Sequence, residues 1–368
     1  MAVATAFVAV TPTPGSAAAC VPWFGTQPPS VGSTNNALSG VATTSPCDAW
    51  AVGNYFAGGE QSYTQHWNGT AWKRVPNPNP GANPTVLDGV TAVSPSDAWA
   101  VGSYGDAGPG QTLIEHWDGK VWSQQTSPNP GGTAAGDGLL GVAATSASNA
   151  WAVGRTGSDD TLIARWNGVR WKRVPSPNGG AFSNALWSVA ATSSSNAWAV
   201  GSYDTTSGAR TLIERWNGTA WKKVASPNPS TDSELRGVAV TSPTDAWAVG
   251  WRGTDTGTKT LIVHWNGSAW KVVPSPSPGG ATHANVLMGL VSTSASNAVA
   301  VGSYSNGSVQ RNLIVRWNGR VWVRAAAPNL TAFDNRLSAV AASSGTDVWA
   351  VGSDYDGSVS LPLALHCC

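Results

Sequence analysis

This chain of 368 residues is poor in charge, in cysteine and in long apolar runs. Only 11% of its residues are charged, against roughly 25% in ordinary soluble domains, and 21 Lys and Arg face 20 Asp and Glu, giving a net charge of +1. Without a basic stripe to neutralise phosphates, a nucleic-acid partner is not expected. No stretch reaches the ~20 apolar residues of a membrane-spanning helix, so no transmembrane segment is expected either.

Positive charge is also missing from the N-terminal stretch, where the first Lys or Arg is Lys73. Residues 1–19 are small and apolar, and three alanines precede Cys20 as in a signal-peptide cleavage site. We interpret residues 1–19 as a leader or signal-peptide remnant, with a lipoprotein signal acylated at Cys20 as an alternative. Residues 20–368 are predicted to form one domain.

A repeat of about 50 residues fills that domain. The phrase Asp-Ala-Trp-Ala-Val-Gly, or a close variant, opens at Asp48, Asp97, Asn149, Asn196, Asp245, Asn297 and Asp347. Each repeat holds four short strand-like runs, here called a to d, and an Asn-Gly or Asp-Gly pair predicts a tight type I′ hairpin between c and d. Seven such units predict an all-β, seven-bladed β-propeller of four-stranded antiparallel blades, because each unit buries its faces only against its neighbours.

The two ends of the chain complete the count. The last repeat stops after strand c, whereas the segment from Trp23 matches a strand d. The N-terminal strand d is therefore predicted to complete the C-terminal blade and to close the ring, which leaves no free edge between blades.

The surface is rich in Ser, Thr, Asn, Gly and Pro, which is typical of a secreted protein. The propeller is expected to be a monomer.

Four cysteines fit the same closure. Cys367 falls at the strand c Trp position, Cys368 falls at the Asn of the c–d turn and Cys20 at its Gly, and Cys47 lies in the a–b turn of the first blade. Two disulfides are predicted, with Cys20 bonded to Cys367 or Cys368, although four cysteines allow three connectivities. The alternative is four unrelated buried thiols. Disulfides would indicate an oxidising compartment.

The residue that opens strand b changes together with a residue near the end of strand c. Asp is matched by His and Asn by Arg, seven times in seven. Because strand b begins where strand c ends, we expect the side chains to meet as structural latches, while the alternative is that two repeat subtypes were duplicated. A single His per blade does not make a metal site, and neither a metal nor a cofactor is expected. The expected pairs are Asp48 with His66, Asp97 with His116, Asp245 with His264, Asp347 with His366, Asn149 with Arg165, Asn196 with Arg215, and Asn297 with Arg316.

Residues 20–368 resemble the kelch-like and Asp-box-like propellers secreted by bacteria. The shared features are a strand b ending in Gly and a Gly-containing c–d turn followed by Trp, as in His66-Trp-Asn-Gly-Thr-Ala-Trp72. Kelch blades carry a double Gly where this chain has Ala-Val-Gly, and the Asp-box is matched only in part. The resemblance implies the propeller fold, and it assigns neither a copper centre nor a sialidase Arg triad.

Function is expected where the repeats differ, on the face that carries the b–c loops and the d–a connections, here called the top face. The second residue of strand a reads Ser39, Asp88, Leu140, Trp187, Arg236, Met288 and Ser338. Of 21 Trp, only Trp187 and Trp251 fall outside repeat positions. Aromatic rings among polar groups suit a sugar ring, and the predicted ligand-binding residues are Trp187, Trp251, Arg236, Arg252, Arg155 and Tyr203.

Three functions follow in order of preference. The first is a secreted, non-catalytic binding module with a glycan or protein ligand, lectin-like if the ligand is a sugar. The second is a structural or protein-interaction propeller, which would show a contiguous apolar patch. The third is a glycosidase or lyase, which needs converging charged groups. Its candidates are the acidic top-loop residues Asp159, Asp160, Asp204, Asp232, Glu234 and Asp255, although no catalytic residue is assigned.

Overall fold

Seven four-stranded antiparallel sheets make up the fold in a computed structural model, which describes residues 22–32, 35–80, 84–105, 110–132 and 136–368. The innermost strand of each blade contacts the innermost strand of the next blade. The innermost strand of the seventh blade contacts that of the first blade in the same way. The described residues therefore form a closed seven-bladed β-propeller, as predicted. The predicted leader, residues 1–19, and Cys20 lie outside the described residues.

The strands follow the predicted order a, b, c, d from the centre to the rim of each blade. Blades one to three comprise β2 (Asn36–Ser45), β3 (Asp48–Phe56), β4 (Glu60–Trp67) and β5 (Trp72–Val75); β6 (Thr85–Ser94), β7 (Asp97–Tyr104), β8 (Gln111–Trp117) and β9 (Trp122–Gln124); and β10 (Gly138–Ser146), β11 (Asn149–Arg155), β12 (Thr161–Trp166) and β13 (Trp171–Val174).

Blades four to six repeat this arrangement, and blade seven draws one strand from the other end of the chain. They comprise β14 (Asn184–Ser193), β15 (Asn196–Thr205), β16 (Gly208–Trp216) and β17 (Trp221–Lys223); β18 (Ser233–Ser242), β19 (Asp245–Gly253), β20 (Thr258–Trp265) and β21 (Trp270–Val273); β22 (Asn285–Ser294), β23 (Asn297–Ser305), β24 (Gln310–Trp317) and β25 (Trp322–Ala325); and β26 (Asn335–Ala342), β27 (Val348–Tyr355), β28 (Ser360–Cys367) and β1 (Phe24–Thr26).

Strand β1 closes the ring. It pairs antiparallel with β28, placing Phe24 opposite His366 and Thr26 opposite Ala364. The sheet order β1-β28-β27-β26 is that of every other blade read from rim to centre. The N-terminal strand therefore supplies the strand d that the last repeat lacks, as predicted.

The turn between strands c and d differs from the predicted type I′ hairpin. In blade one, Trp67 pairs with Trp72, so four residues form the loop. Gly69 has a φ of 88°, whereas no Asn of these turns has a positive φ in the described chain. Asn68 instead accepts hydrogen bonds through its Oδ1 from the backbone N–H groups of Thr70 and Ala71, both at 3.1 Å. The side chain thus stabilises the turn without a left-handed conformation at Asn.

Tryptophan fills the seams between blades near the rim. The strand b Trp of one blade packs between the strand c and strand d Trp of the next, as Trp50 does at 4.8 Å from Trp117 and 5.0 Å from Trp122. Five further seams follow this pattern, centred on Trp99, Trp151, Trp198, Trp247 and Trp349.

The seam between blades six and seven has a different composition. Val299 replaces the strand b Trp, and the facing positions hold Cys367 and Trp23 in the same buried cluster. Two bulky rings of the other seams are therefore replaced by the smaller Val299 and Cys367 where the chain ends meet.

Candidate functional site

A β-bulge in the innermost strand of every blade builds the centre of the top face. In β14 the register shifts between Leu186 and Ser188, so Trp187 is the extra residue. The same shift recurs in all seven blades. The seven bulge residues line one central cavity of about 360 Å³; they are Ser39, Asp88, Leu140, Trp187, Arg236, Met288 and Ser338. The repeat therefore brings its most variable position into a single channel.

Trp187 and Arg236 form the most specific contact in this channel. The guanidinium carbon of Arg236 lies 3.8 Å from the centroid of the Trp187 ring, which is a cation–π stack. An ion pair of 2.6 Å joins Arg236 Nη2 to Glu234 Oε2. The Trp187 indole also donates to Ser202 Oγ at 3.4 Å. These contacts fix the positions of the Trp187 ring and the Arg236 guanidinium beside the cavity.

Asp88 lies two bulge positions from Trp187 around the same cavity. Burial raises the pKa of Asp88 to about 7, and the Glu60 carboxylate adds to this shift while the Arg155 guanidinium opposes it. Arg155 itself is exposed and pairs with Gly138 of the innermost strand. Asp88 therefore changes its charge near neutral pH in a cavity that also contains a permanent cation.

Trp251 and Arg252 lie one strand further from the axis. Trp251 is half-buried opposite Glu234, and Arg252 is opposite Ser233. The structure thus brings Trp187 and Arg236 into direct contact. It places Trp251 opposite Glu234, the ion-pair partner of Arg236. Sequence reasoning grouped Glu234 with the loop carboxylates, whereas it lies within β18 and holds Arg236.

Tyr203 is not part of the cavity lining. Its ring lies 4.5 Å from Lys223 Nζ and packs so closely on Gly179 that a Cβ there would come within 2.2 Å of it. Tyr304 is covered in the same way by Arg324, whose guanidinium lies 4.7 Å from the ring and donates to the hydroxyl at 2.8 Å. These tyrosines cap the outer strands of their blades.

All four Asp–His pairs are in direct contact on the opposite face, here called the bottom face, which carries the a–b and c–d turns. The Nε2 to Oδ1 distances are 2.7 Å for Asp48 with His66, 2.8 Å for Asp97 with His116, 2.7 Å for Asp245 with His264 and 2.7 Å for Asp347 with His366. Burial pushes the pKa of Asp347 upward, but hydrogen bonds from His366 and Ser343 outweigh it and hold that pKa below its usual value.

The Asn–Arg pairs behave differently from one blade to the next. Arg165 donates from Nε at 3.2 Å and from Nη2 at 2.9 Å to Asn149 Oδ1. Arg215 donates to the Pro243 carbonyl instead, and Asn196 Oδ1 has no hydrogen-bond partner among the described residues. The expectation that Asn196 accepts from Arg215 is therefore wrong.

The third Asn–Arg pair is not joined by a hydrogen bond either within the part of the chain that the structure describes. Asn297 donates to the Gly345 carbonyl at 3.4 Å, and the buried Nε of Arg316 has no acceptor. Arg316 belongs to the blade in which Val299 replaces the strand b Trp.

Outside blade six, the strand c His or Arg of each pair packs against a Trp ring. The sequence did not reveal this contact. His264 stacks on Trp247 with 4.0 Å between centroids, while Arg165 lies 4.7 Å from Trp151 and 5.5 Å from Trp216 of the next blade. An imidazole or a guanidinium can each cover an indole face. This shared task explains why both residue types occupy one position.

The cysteines differ from expectation. Cys47 and Cys368 are exposed free thiols, so the prediction of two disulfides is wrong. Cys47 packs against the c–d turn of its own blade, since a Cβ on Gly69 would lie 3.1 Å from its sulfur. Cys367 is fully buried and is not one of the free thiols. Cys20 lies outside the described residues, so its bond to Cys367 stays a prediction.

The described residues show neither a metal-binding cluster nor a membrane-spanning helix. They contain no group of three or more His, Cys, Asp or Glu side chains placed to hold a metal ion. In the same residues, no helix is both long enough and apolar enough to cross a membrane.

Comparison with known proteins identifies the class of fold. No family model matches the chain, and no curated protein matches it in sequence. Solved structures do match. YCF48 bound to D1 peptide aligns with a TM-score of 0.59 at 15% identity, covering 94% of this chain and 96% of that chain.

Two further solved structures that match are a polysaccharide lyase and a WD40 domain. A PL25 ulvan lyase bound to -[GlcA(1-4)Rha3S]- aligns with a TM-score of 0.57 at 11% identity, over 89% of this chain and 93% of that chain. The WD40 β-propeller domain of Doa1 aligns at 0.56 and 10% identity, over 94% and 97%. Similarity at these identities establishes the propeller fold alone, and function must be argued from the site.

Proposed function

We propose that this protein is a secreted, non-catalytic binding propeller whose ligand, a glycan, binds in the top-face channel beside Trp187 and Arg236. The observation that carries the proposal is the ring of bulge residues. One repeat position varies through Ser, Asp, Leu, Trp, Arg and Met while the residue before it is Leu in every blade, and the fold gathers all seven copies in one cavity.

The chemistry of the cavity suits a sugar. A pyranose presents flat C–H faces that pack on an aromatic ring and hydroxyl groups that need directional partners. Trp187 supplies the ring, while Arg236 and Asp88 supply a donor and an acceptor in the cavity lining, and Glu234 fixes the position of Arg236. The cavity of about 360 Å³ falls within the ordinary range of small-ligand sites.

A glycan-array screen of the purified protein tests the proposal, repeated with Trp187→Ala and Trp251→Ala. Specific binding that Trp187→Ala abolishes is the expected result. Tyr304→Ala serves as the matched control, because it removes an aromatic ring that also stacks on an arginine but lies outside the cavity. Equal loss in Tyr304→Ala would mean that the fold, and not the site, had been damaged.

One observation favours the protein-interaction alternative. Large apolar side chains are exposed where blade seven meets the d–a connection that precedes it, with exposed fractions of 39% for Leu330, 45% for Phe333 and 37% for Tyr355. Phe333 and Tyr355 contact each other edge to face at 5.9 Å. Apolar surface of this kind is typical of protein-binding sites. If the folded protein binds no glycan on the array, this second function is favoured.

A further inference from the structure

Blades three and four carry a concentration of positive charge. The two blades, residues 138–223, include nine Lys or Arg and four Asp or Glu, in a chain whose net charge is +1. Five of these basic side chains are exposed in or beside the outermost strands; they are Arg170, Lys172, Arg173, Lys222 and Lys223. None of the five belongs to an ion pair among the described residues.

Two pairs of like charges lie directly opposite each other in these blades. Arg165 is the strand partner of Lys172, and Arg215 is the partner of Lys222. Like charges in such positions repel and destabilise a sheet. In blades one and five the corresponding partner of the Lys is a His that is paired with an Asp. Blades three and four therefore keep a charge excess that other blades avoid.

The Arg165 guanidinium is held rigidly but its charge is not neutralised. It lies between the rings of Trp151 and Trp216, and its acceptors are the amide oxygen of Asn149 and, at 3.2 Å, the carbonyl of Ser194. Its two Nη1 protons make no hydrogen bond to any described residue. A preorganised guanidinium with free donors matches the two oxygens of a carboxylate or sulfate.

This guanidinium borders a polar cleft on the bottom face. The cleft, of about 510 Å³, lies at the seam between blades three and four. Its lining includes the hydroxyl or amide groups of Ser146, Ser148, Asn167 and Ser194, and no aromatic ring among the described residues. Hydroxyl and amide groups suit sugar hydroxyls, whereas the lack of a ring leaves nothing to stack on a nucleobase.

We propose that this cleft binds one acidic unit of a polysaccharide, with its carboxylate or sulfate on Arg165, and that the polymer continues over Lys172 and Lys222. This site is separate from the channel on the top face and does not depend on it. Arg165 sets the position of the charged group, and the exposed lysines add long-range attraction.

Binding of defined polymers tests this site by calorimetry at 20 mM and at 200 mM NaCl. The probes are polygalacturonate as the carboxylated chain, dextran sulfate as the sulfated chain and dextran as the neutral chain. We expect one or both acidic chains to bind, dextran not to bind, and higher salt to weaken the affinity because exposed charges are screened.

Variants assign the binding to the cleft. The exposed double substitution Lys172→Glu with Lys222→Glu disturbs no packed residue and is expected to weaken binding about tenfold or more. Arg165→Gln should weaken it as well. Lys271→Glu in blade five and Arg316→Gln in blade six occupy equivalent repeat positions and should retain the affinity within about twofold. Trp187→Ala on the top face should also retain it.

Three results would overturn the proposal. Absence of binding by both acidic chains at 20 mM NaCl is the first, and unchanged affinity in the Lys172→Glu and Lys222→Glu protein is the second. The third is equal binding of poly-glutamate or of a single-stranded oligonucleotide, which would show that charge alone attracts the ligand and that no saccharide is selected.

Discussion

Glu214 offers a sharp test of how this ring responds to pH. It is fully buried, and neither of its carboxylate oxygens has a hydrogen-bond partner among the described residues. The equivalent positions in blades five and six hold Val263 and Val315, which pair with the corresponding alanines of strand b. Burial raises the pKa of Glu214 to about 8, against which the Lys223 charge acts only weakly.

The sign of the effect follows from this shift. A carboxyl whose pKa is higher in the folded state binds its proton more tightly there, so its contribution to stability is complete at low pH and is lost as pH rises toward the folded-state pKa. The window runs from the ordinary value of 4.5 to about 8. At about 1.4 kcal/mol per pH unit, Glu214 lowers the free energy of unfolding by about 3 kcal/mol between pH 5 and pH 7.

Glu214→Gln removes this titration at nearly constant volume, and Gln is the natural residue at the equivalent position of blade one, Gln65. We expect the variant to be about as stable as the wild type at pH 5 and about 3 kcal/mol more stable at pH 7. Urea unfolding at the two pH values measures the difference.

The exposed Asp255→Asn is the control and should leave stability unchanged at both pH values. A constant difference between Glu214→Gln and wild type from pH 5 to pH 8 would refute the reasoning, because it would mean that Glu214 does not titrate on folding.

Three further predictions concern other parts of the ring. His116→Ala removes a hydrogen bond to Asp97 and a ring that packs tilted on Trp99 with 4.2 Å between centroids, so thermal melting should show a loss of about 1–3 kcal/mol. Ligand binding should persist, and an unchanged melting temperature would contradict the structural role of the pair. Ser176→Asn copies Asn77, which donates to both oxygens of the buried Glu115 at 3.3 Å, and should raise stability at pH 8 by about 1 kcal/mol in urea unfolding; no gain would show that the new amide does not reach Glu214. Asp88→Asn should abolish any change in ligand affinity between pH 6 and pH 8, and a variant that kept the wild-type pH profile would place Asp88 outside the binding site.

The propeller itself could be predicted from the sequence because its determinants are local and recur. Strand-length runs and turn residues fix each blade, and the surplus strand at Trp23 fixes the closure with β28. The Asp–His pairs could also be predicted, since strands b and c are neighbours within one blade and strand b begins where strand c ends. Each of these features depends on residues close together in one repeat.

Features that depend on contacts between blades could not be predicted in this way. Arg215 was assigned to Asn196, but its guanidinium packs between Trp198 and Trp265 of the next blade and donates to Pro243 there. The predicted disulfide of Cys47 is wrong for a different reason, because this exposed thiol packs against Gly69 in the c–d turn of its own blade.

The sequence by itself therefore determined the number of blades, the strand order and the positions at which blades differ. Only the tertiary structure decided what those positions do together. A bulge in each innermost strand turns seven residues, about 50 positions apart along the chain, toward one axis, so that Trp187 lies under Arg236 and Asp88 is buried enough to titrate near neutrality. The burial of Asp88 and the charged groups near it arise only when the ring is closed, because no single repeat contains them.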